Sequence, residues 1–165
     1  MTASPSDGSL KVNGLAVVRR TRANLDPALP TVLFVHGAMD RAASFSRVMR
    51  RLVQFDLIAF DRRGYSGSLS AGVNTTLDGH VDDLLEVIEF SGSESVVVIG
   101  HSLGGTLALG LAARADSRVK GLGVFESPMP GLDNSYASVG AGAIERGDEQ
   151  GPSFRSRILL PFDGR

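Results

Sequence analysis

A chain of 165 residues, 42% of them hydrophobic, has the length and apolar content of one domain with a single core. Its formal charge of −1 and pI near 6.3 give no electrostatic attraction for nucleic acid or an anionic membrane. The absence of cysteine excludes a disulfide framework, a thiolate metal site and a cysteine nucleophile.

Residues 1–8 are polar and read as a disordered tail without the apolar core of a signal peptide. No run reaches the length of a membrane span, so a soluble, cytoplasmic protein is expected. Leu10 to Arg22 alternates around Asn13-Gly14, which predicts a two-stranded hairpin. After a polar loop to Pro30, Thr31–Val35 reads as a buried strand running into His36-Gly37-Ala38. Phe45, Val48, Met49 and Leu52 recur at helical spacing and predict a helix over Ala42–Val53. Phe55–Phe60 is a further strand, ending at Asp61-Arg62-Arg63-Gly64-Tyr65-Ser66-Gly67-Ser68.

Leu77, Val81, Leu84, Leu85 and Ile88 then form a helical stripe that stops at Ser91-Gly92. Val96-Val97-Val98-Ile99 is an apolar, β-branched strand that leads into Gly100-His101-Ser102-Leu103-Gly104-Gly105 and a helical run to about Ala115. Val119–Phe125 is one more strand, closing on Glu126-Ser127-Pro128-Met129-Pro130. From Pro128 the composition turns to Gly and Ser, with a weak helical pattern around Phe154, Ile158 and Leu159. Strands alternating with helices predict a three-layer α/β/α arrangement around a mostly parallel sheet with right-handed crossovers.

The chemistry concentrates at one junction. G-x-S-x-G between a strand and a helix is the signature of a nucleophile elbow, a sharp turn that lifts a serine above the sheet. Gly100 and Gly104 are required there because a Cβ would collide with neighbouring backbone. The following helix aims its N-terminal N–H groups at the same point. Gly100 to Gly105 spells neither the dinucleotide fingerprint nor a P-loop, and no cofactor or metal is expected.

On VLFVHGA, DRRGYSGS and VVVIGHSLGG the chain resembles the α/β-hydrolase fold family, in its N-terminal portion, with order and spacing that match the first six of the family's eight strands. The resemblance implies Ser102 as nucleophile and the backbone N–H groups of Ala38 and Leu103 as the oxyanion hole, with a small-molecule acyl compound as substrate. It places serine where the family's epoxide hydrolases and haloalkane dehalogenases carry aspartate. His36, Gly37, Gly100, His101, Gly104, Gly105 and Asp61 read as structural parts of the motifs, and Ser68 as loop-shaping. Glu126 resembles both an acid position used by some members and a structural Glu-x-Pro turn. Arg62 and Arg63 read as a solvated basic spot, His80 as solvated or capping, and Met39, Asp40 and Met129 as pocket lining.

The family's catalytic histidine follows its eighth strand, and no histidine follows His101. Residues 9–130 are therefore expected to form a partial hydrolase core truncated after about the sixth strand, with 131–165 an incomplete start of a lid, and the chain alone is expected to be inactive. An exposed edge on the strand Val119–Phe125 would favour self-association. The alternatives are a non-catalytic binding module and a half-domain completed by a second chain.

Overall fold

The computed structural model describes residues 10–21, 23–74, 76–128 and 158–161. Strands β1 (Leu10–Val12) and β2 (Leu15–Arg20) form the hairpin. Asn13 and Gly14 turn it with φ of 46° and 84°, the positive pair that a tight two-residue connection demands. Strands β3 (Thr31–Val35), β4 (Leu57–Phe60), β5 (Val96–His101) and β6 (Val119–Phe125) run parallel, and β7 (Ile158–Pro161) completes a seven-stranded sheet in the order β1-β2-β4-β3-β5-β6-β7. Only β2 and β7 oppose the central strands, so the sheet is mostly parallel, as expected.

The sheet divides two apolar cores by simple alternation. Leu33, Val35, Ile58, Phe60, Val96 and Val98 point to one face, where helices α2 (Leu77–Ser91) and α3 (Leu103–Ala113) cover them with Val81, Leu84, Ile88, Leu107 and Leu111. Val32, Phe34, Leu57 and Ala59 point to the other and meet Ala42 and Met49. Helix α2 is capped at both ends: Thr76 accepts from the Gly79 N–H at 3.1 Å, and Gly92 closes the helix in the left-handed region at φ 67°.

Two expectations are corrected. The predicted helix over Ala42–Val53 shrinks to a 3-10 turn, Ala42–Phe45, and a single α-turn, Ser46–Met49 (α1). Phe45 stacks on Phe34 with centroids 5.0 Å apart and Met49 is buried, but Val48 and Val53 are exposed. Too little of the periodic face is buried to extend the helix. The helical pattern around Phe154, Ile158 and Leu159 is also overturned from Ile158 onward, because Ile158–Pro161 is a strand paired antiparallel with Gly121–Val124. The edge of β6 expected to drive self-association is therefore occupied, which satisfies main-chain groups that would otherwise be open. The expected tail 1–8, Met129, Phe154 and the expected lid segment up to residue 157 lie outside the described residues.

Candidate functional site

The last residues of β3, β4, β5 and β6 all end at the C-terminal edge of the sheet, where open parallel sheets bind their ligands. At the centre of that edge, β5 turns into α3 through Ser102, which has φ 52° and ψ −124°. A non-glycine residue holds such a conformation only when its surroundings fix it. Three contacts do so here. The Ser102 N–H donates to the Phe125 carbonyl at 2.8 Å, and the Ser102 carbonyl accepts from Gly105 at 2.9 Å. Gly100 and Gly104 bring main chain against main chain: a Cβ on Gly100 would lie 2.3 Å from the Gly104 carbonyl oxygen. A Cβ on Gly105 would strike Ser127 at 2.8 Å, which accounts for the third glycine of the motif.

The turn after β3 lies against this serine. A Cβ on Gly37 would sit 3.0 Å from the Ser102 Cβ, so the 36–38 segment and the β5–α3 turn share one surface. Leu103 is the first residue of α3, and its N–H has no acceptor within the helix. Among the described residues neither the Leu103 N–H nor the Ala38 N–H donates a hydrogen bond. Met39, expected as pocket lining, follows at φ 54° and is almost fully exposed.

His36 is fully buried, and both ring nitrogens are engaged. Nε2 accepts from the Arg62 main-chain N–H at 2.9 Å, so Nδ1 carries the proton and donates to the Gly37 carbonyl at 2.8 Å. Burial holds the imidazole below its ordinary pKa, with the neighbouring Arg62 charge acting in the same direction. It anchors the turn as a neutral ring.

Asp61 caps in two directions: Oδ1 accepts from Ala42 N–H at 2.8 Å and Oδ2 from Gly67 N–H at 2.9 Å. Ser68 ties the same loop to the hairpin, donating to the Asp61 carbonyl at 2.6 Å and accepting from Ala16 N–H at 2.8 Å. Both residues hold the loop after β4 through main-chain partners.

The solvated basic spot is corrected. Arg62 is buried beneath the 36–38 turn, and Arg63 pairs with Asp83 of α2 at 2.6 Å while donating to the Ala71 carbonyl at 2.6 Å. A β-strand that ends buried carries its next residues inward with it, a placement that residue type alone argues against. His80 is half-buried, and its Nδ1 has no hydrogen-bond partner among the described residues; burial pushes its pKa down.

His101, the last residue of β5, and Glu126, the residue after β6, approach to 3.5 Å between Nε2 and Oε2, both half-exposed. The His101 ring also leans on Phe125, centroids 5.6 Å apart. Glu126 has φ 50°, a second strained backbone position beside Ser102. The pairing was not legible in sequence; it follows from β5 and β6 being parallel neighbours in register, His101 opposite Phe125. Among the described residues no group of three or more His, Cys, Asp or Glu side chains could hold a metal ion. No helix among them is long and apolar enough to cross a membrane.

Residues 30–157 match the family model described as the alpha/beta hydrolase fold. The chain is similar to lipase LipV of Mycobacterium tuberculosis, 34% identical over 104 residues that cover 63% of this chain and 39% of that protein. Among solved structures, a probable hydrolytic enzyme from Pseudomonas aeruginosa PAO1 superposes with a TM-score of 0.64 at 25% identity, over 74% of this chain and 39% of the other. Epoxide hydrolase A from Mycobacterium thermoresistibile gives 0.63 at 25% identity, over 85% and 45% respectively. The chain thus spans less than half the length of each of these relatives.

Proposed function

Since the chain belongs to the α/β-hydrolase fold family, we propose that it carries the nucleophile-bearing part of a serine hydrolase acting on an ester-type or other acyl substrate. The observation that carries this reading is the strained backbone of Ser102 at the head of α3, held against Gly37. A hydroxyl fixed there serves no helix-capping hydrogen bond. Strain at a polar residue whose N–H and carbonyl are both fixed, with two unbonded main-chain amides nearby, suits a group that must meet an incoming carbonyl.

The chemistry runs as acyl transfer. Ser102 Oγ bonds to the acyl carbon while a base takes its proton, and the N–H groups of Leu103 and Ala38 receive the developing oxyanion. The leaving group departs with that proton, and water then releases the acyl group by the reverse route. We assign the base to a histidine beyond this sequence. His36 has both nitrogens engaged, His80 lies on α2, and His101 faces Glu126. Glu126 is accordingly a partner of His101 rather than the acid of a triad formed within these residues.

The test is labelling of the 165-residue chain by a fluorophosphonate, with and without added imidazole as a surrogate base. Wild type is expected to label at Ser102 when imidazole is present, and Ser102→Ala not at all. Labelling that survives Ser102→Ala, or none in wild type with imidazole, rejects the assignment. Turnover of an aryl ester by the chain alone is expected to match the Ser102→Ala control.

A further inference from the structure

Arg62 is among the most buried side chains of the molecule, 1% exposed. A guanidinium in such a place normally meets a carboxylate, because an unpaired buried charge is expensive. Among the described residues Arg62 makes no ion pair. Its Nε donates to the His36 carbonyl at 3.1 Å and its Nη2 to the Gly37 carbonyl at 2.8 Å. Its carbon Cζ stands 4.6 Å from the centroid of the Tyr65 ring. Arginine does not give up its proton in proteins, so the charge is permanent. It is spent on two successive main-chain carbonyls of the turn that abuts Ser102.

The Gly37 carbonyl receives a second donor, Nδ1–H of His36 at 2.8 Å. The C=O of Gly37 and the N–H of Ala38 are opposite ends of one planar peptide group. Hydrogen bonds at the oxygen, one of them charge-assisted, withdraw electron density from the nitrogen and make its N–H a stronger donor. They also fix the plane of the peptide, so the N–H keeps one direction.

We propose that Arg62 is a positioning residue for the reaction: it holds and polarises the Gly37–Ala38 peptide, so that the Ala38 N–H is a preset, strengthened donor to the oxyanion formed at Ser102. This rests on the assignment of Ser102 and Ala38 above. It also explains why a charge occupies a buried place that an apolar residue of like volume would fill at less desolvation cost.

The test compares Arg62→Met and Arg62→Gln, which are neutral, with Arg62→Lys, which keeps the charge. Two readouts are taken on the 165-residue chain: the Ala38 amide proton resonance, and the imidazole-assisted fluorophosphonate rate. The neutral variants are expected to move the Ala38 amide upfield and to slow labelling about tenfold, part of the about 100- to 1000-fold that loss of a whole donor costs. Arg62→Lys is expected to recover most of both. Neutral variants that keep the wild-type resonance and rate overturn the proposal. So does a lysine variant as impaired as the neutral ones, since packing and not charge would then govern. If the neutral variants do not fold, a lysine variant with a wild-type fold but a fully shifted Ala38 amide overturns it equally. Absence of labelling in wild type defeats the Ser102 assignment instead, and the Ala38 resonance then still decides the role of Arg62.

Discussion

Gly104, in the first turn of α3, lies main chain to main chain against Val35, the last residue of β3: a Cβ on Gly104 would fall 2.1 Å from the Val35 carbonyl oxygen. Neither partner is a flexible side chain, so the helix would have to leave the strand to admit one methyl group. Gly104→Ala is expected to destabilise the fold by about 3 kcal/mol or more and to displace Ser102 from the 36–38 turn. Thermal melting measures the first effect and loss of fluorophosphonate labelling the second. A variant that melts within a degree of wild type would contradict the close approach.

The backbone of Ser102 predicts a trade between stability and reactivity. At φ 52° and ψ −124° any Cβ is strained. Ser102→Gly should be more stable than Ser102→Ala by about 1 kcal/mol, although glycine gives the unfolded chain more freedom. Both should be inert to the probe. Urea unfolding of the two variants measures the difference, and an alanine variant at least as stable as glycine would mean that no strain is stored there.

Asp83 on α2 is the hub that holds the loop after β4. It accepts from Arg63 at 2.6 Å and from Asn74 Nδ2 at 2.6 Å, and its side chain is only 6% exposed. Asp83→Asn leaves the partly exposed Arg63 charge uncompensated, and should cost about 1–3 kcal/mol. Pairing it with Arg63→Met should recover a good part of that loss. Chemical denaturation of the two single variants and the double variant gives the coupling directly, and additive losses would deny it.

Acid sensitivity follows from His36. Burial keeps its folded-state pKa below the ordinary 6.5, so the unfolded chain binds the proton more readily. Its stabilising effect is complete above about pH 6.5 and is lost as the pH falls through the folded value. His80, lowered for the same reason, acts in the same direction. Melting temperature should fall between pH 7.5 and pH 5, and His36→Gln should flatten the slope while lowering stability throughout. An unchanged slope in His36→Gln would assign the acid loss to other groups.

The fold was largely readable where local signals and burial agree. The β-branched run of β5, the apolar run of β3 and the Gly92 stop of α2 each combine a pattern with a mechanism. The Ser102 turn was readable because glycines at 100 and 104 have a steric reason to be there. The short α1 was not, since Phe45, Val48, Met49 and Leu52 have helical spacing whether or not the sheet buries them all. Strand β7 was hidden because Ile158 and Leu159 pair with β6 across more than thirty residues, and no local pattern carries such a contact. Arg62 was hidden most completely. Residue type argues for solvent, while its place after a buried strand and beneath His36 puts it inside.

The two faces of the sheet are unequally clad. One is sealed by fifteen-residue α2 and eleven-residue α3, the other by a 3-10 turn and a single helical turn among the described residues. Thin cladding opens first, because little apolar contact is lost when it lifts. Amide protons of residues 42–52 should therefore exchange with deuterium far sooner than those of α3, while β3 beneath them stays protected. The segment joined to the His36–Ala38 turn is thus free to breathe without unseating the serine from its strand.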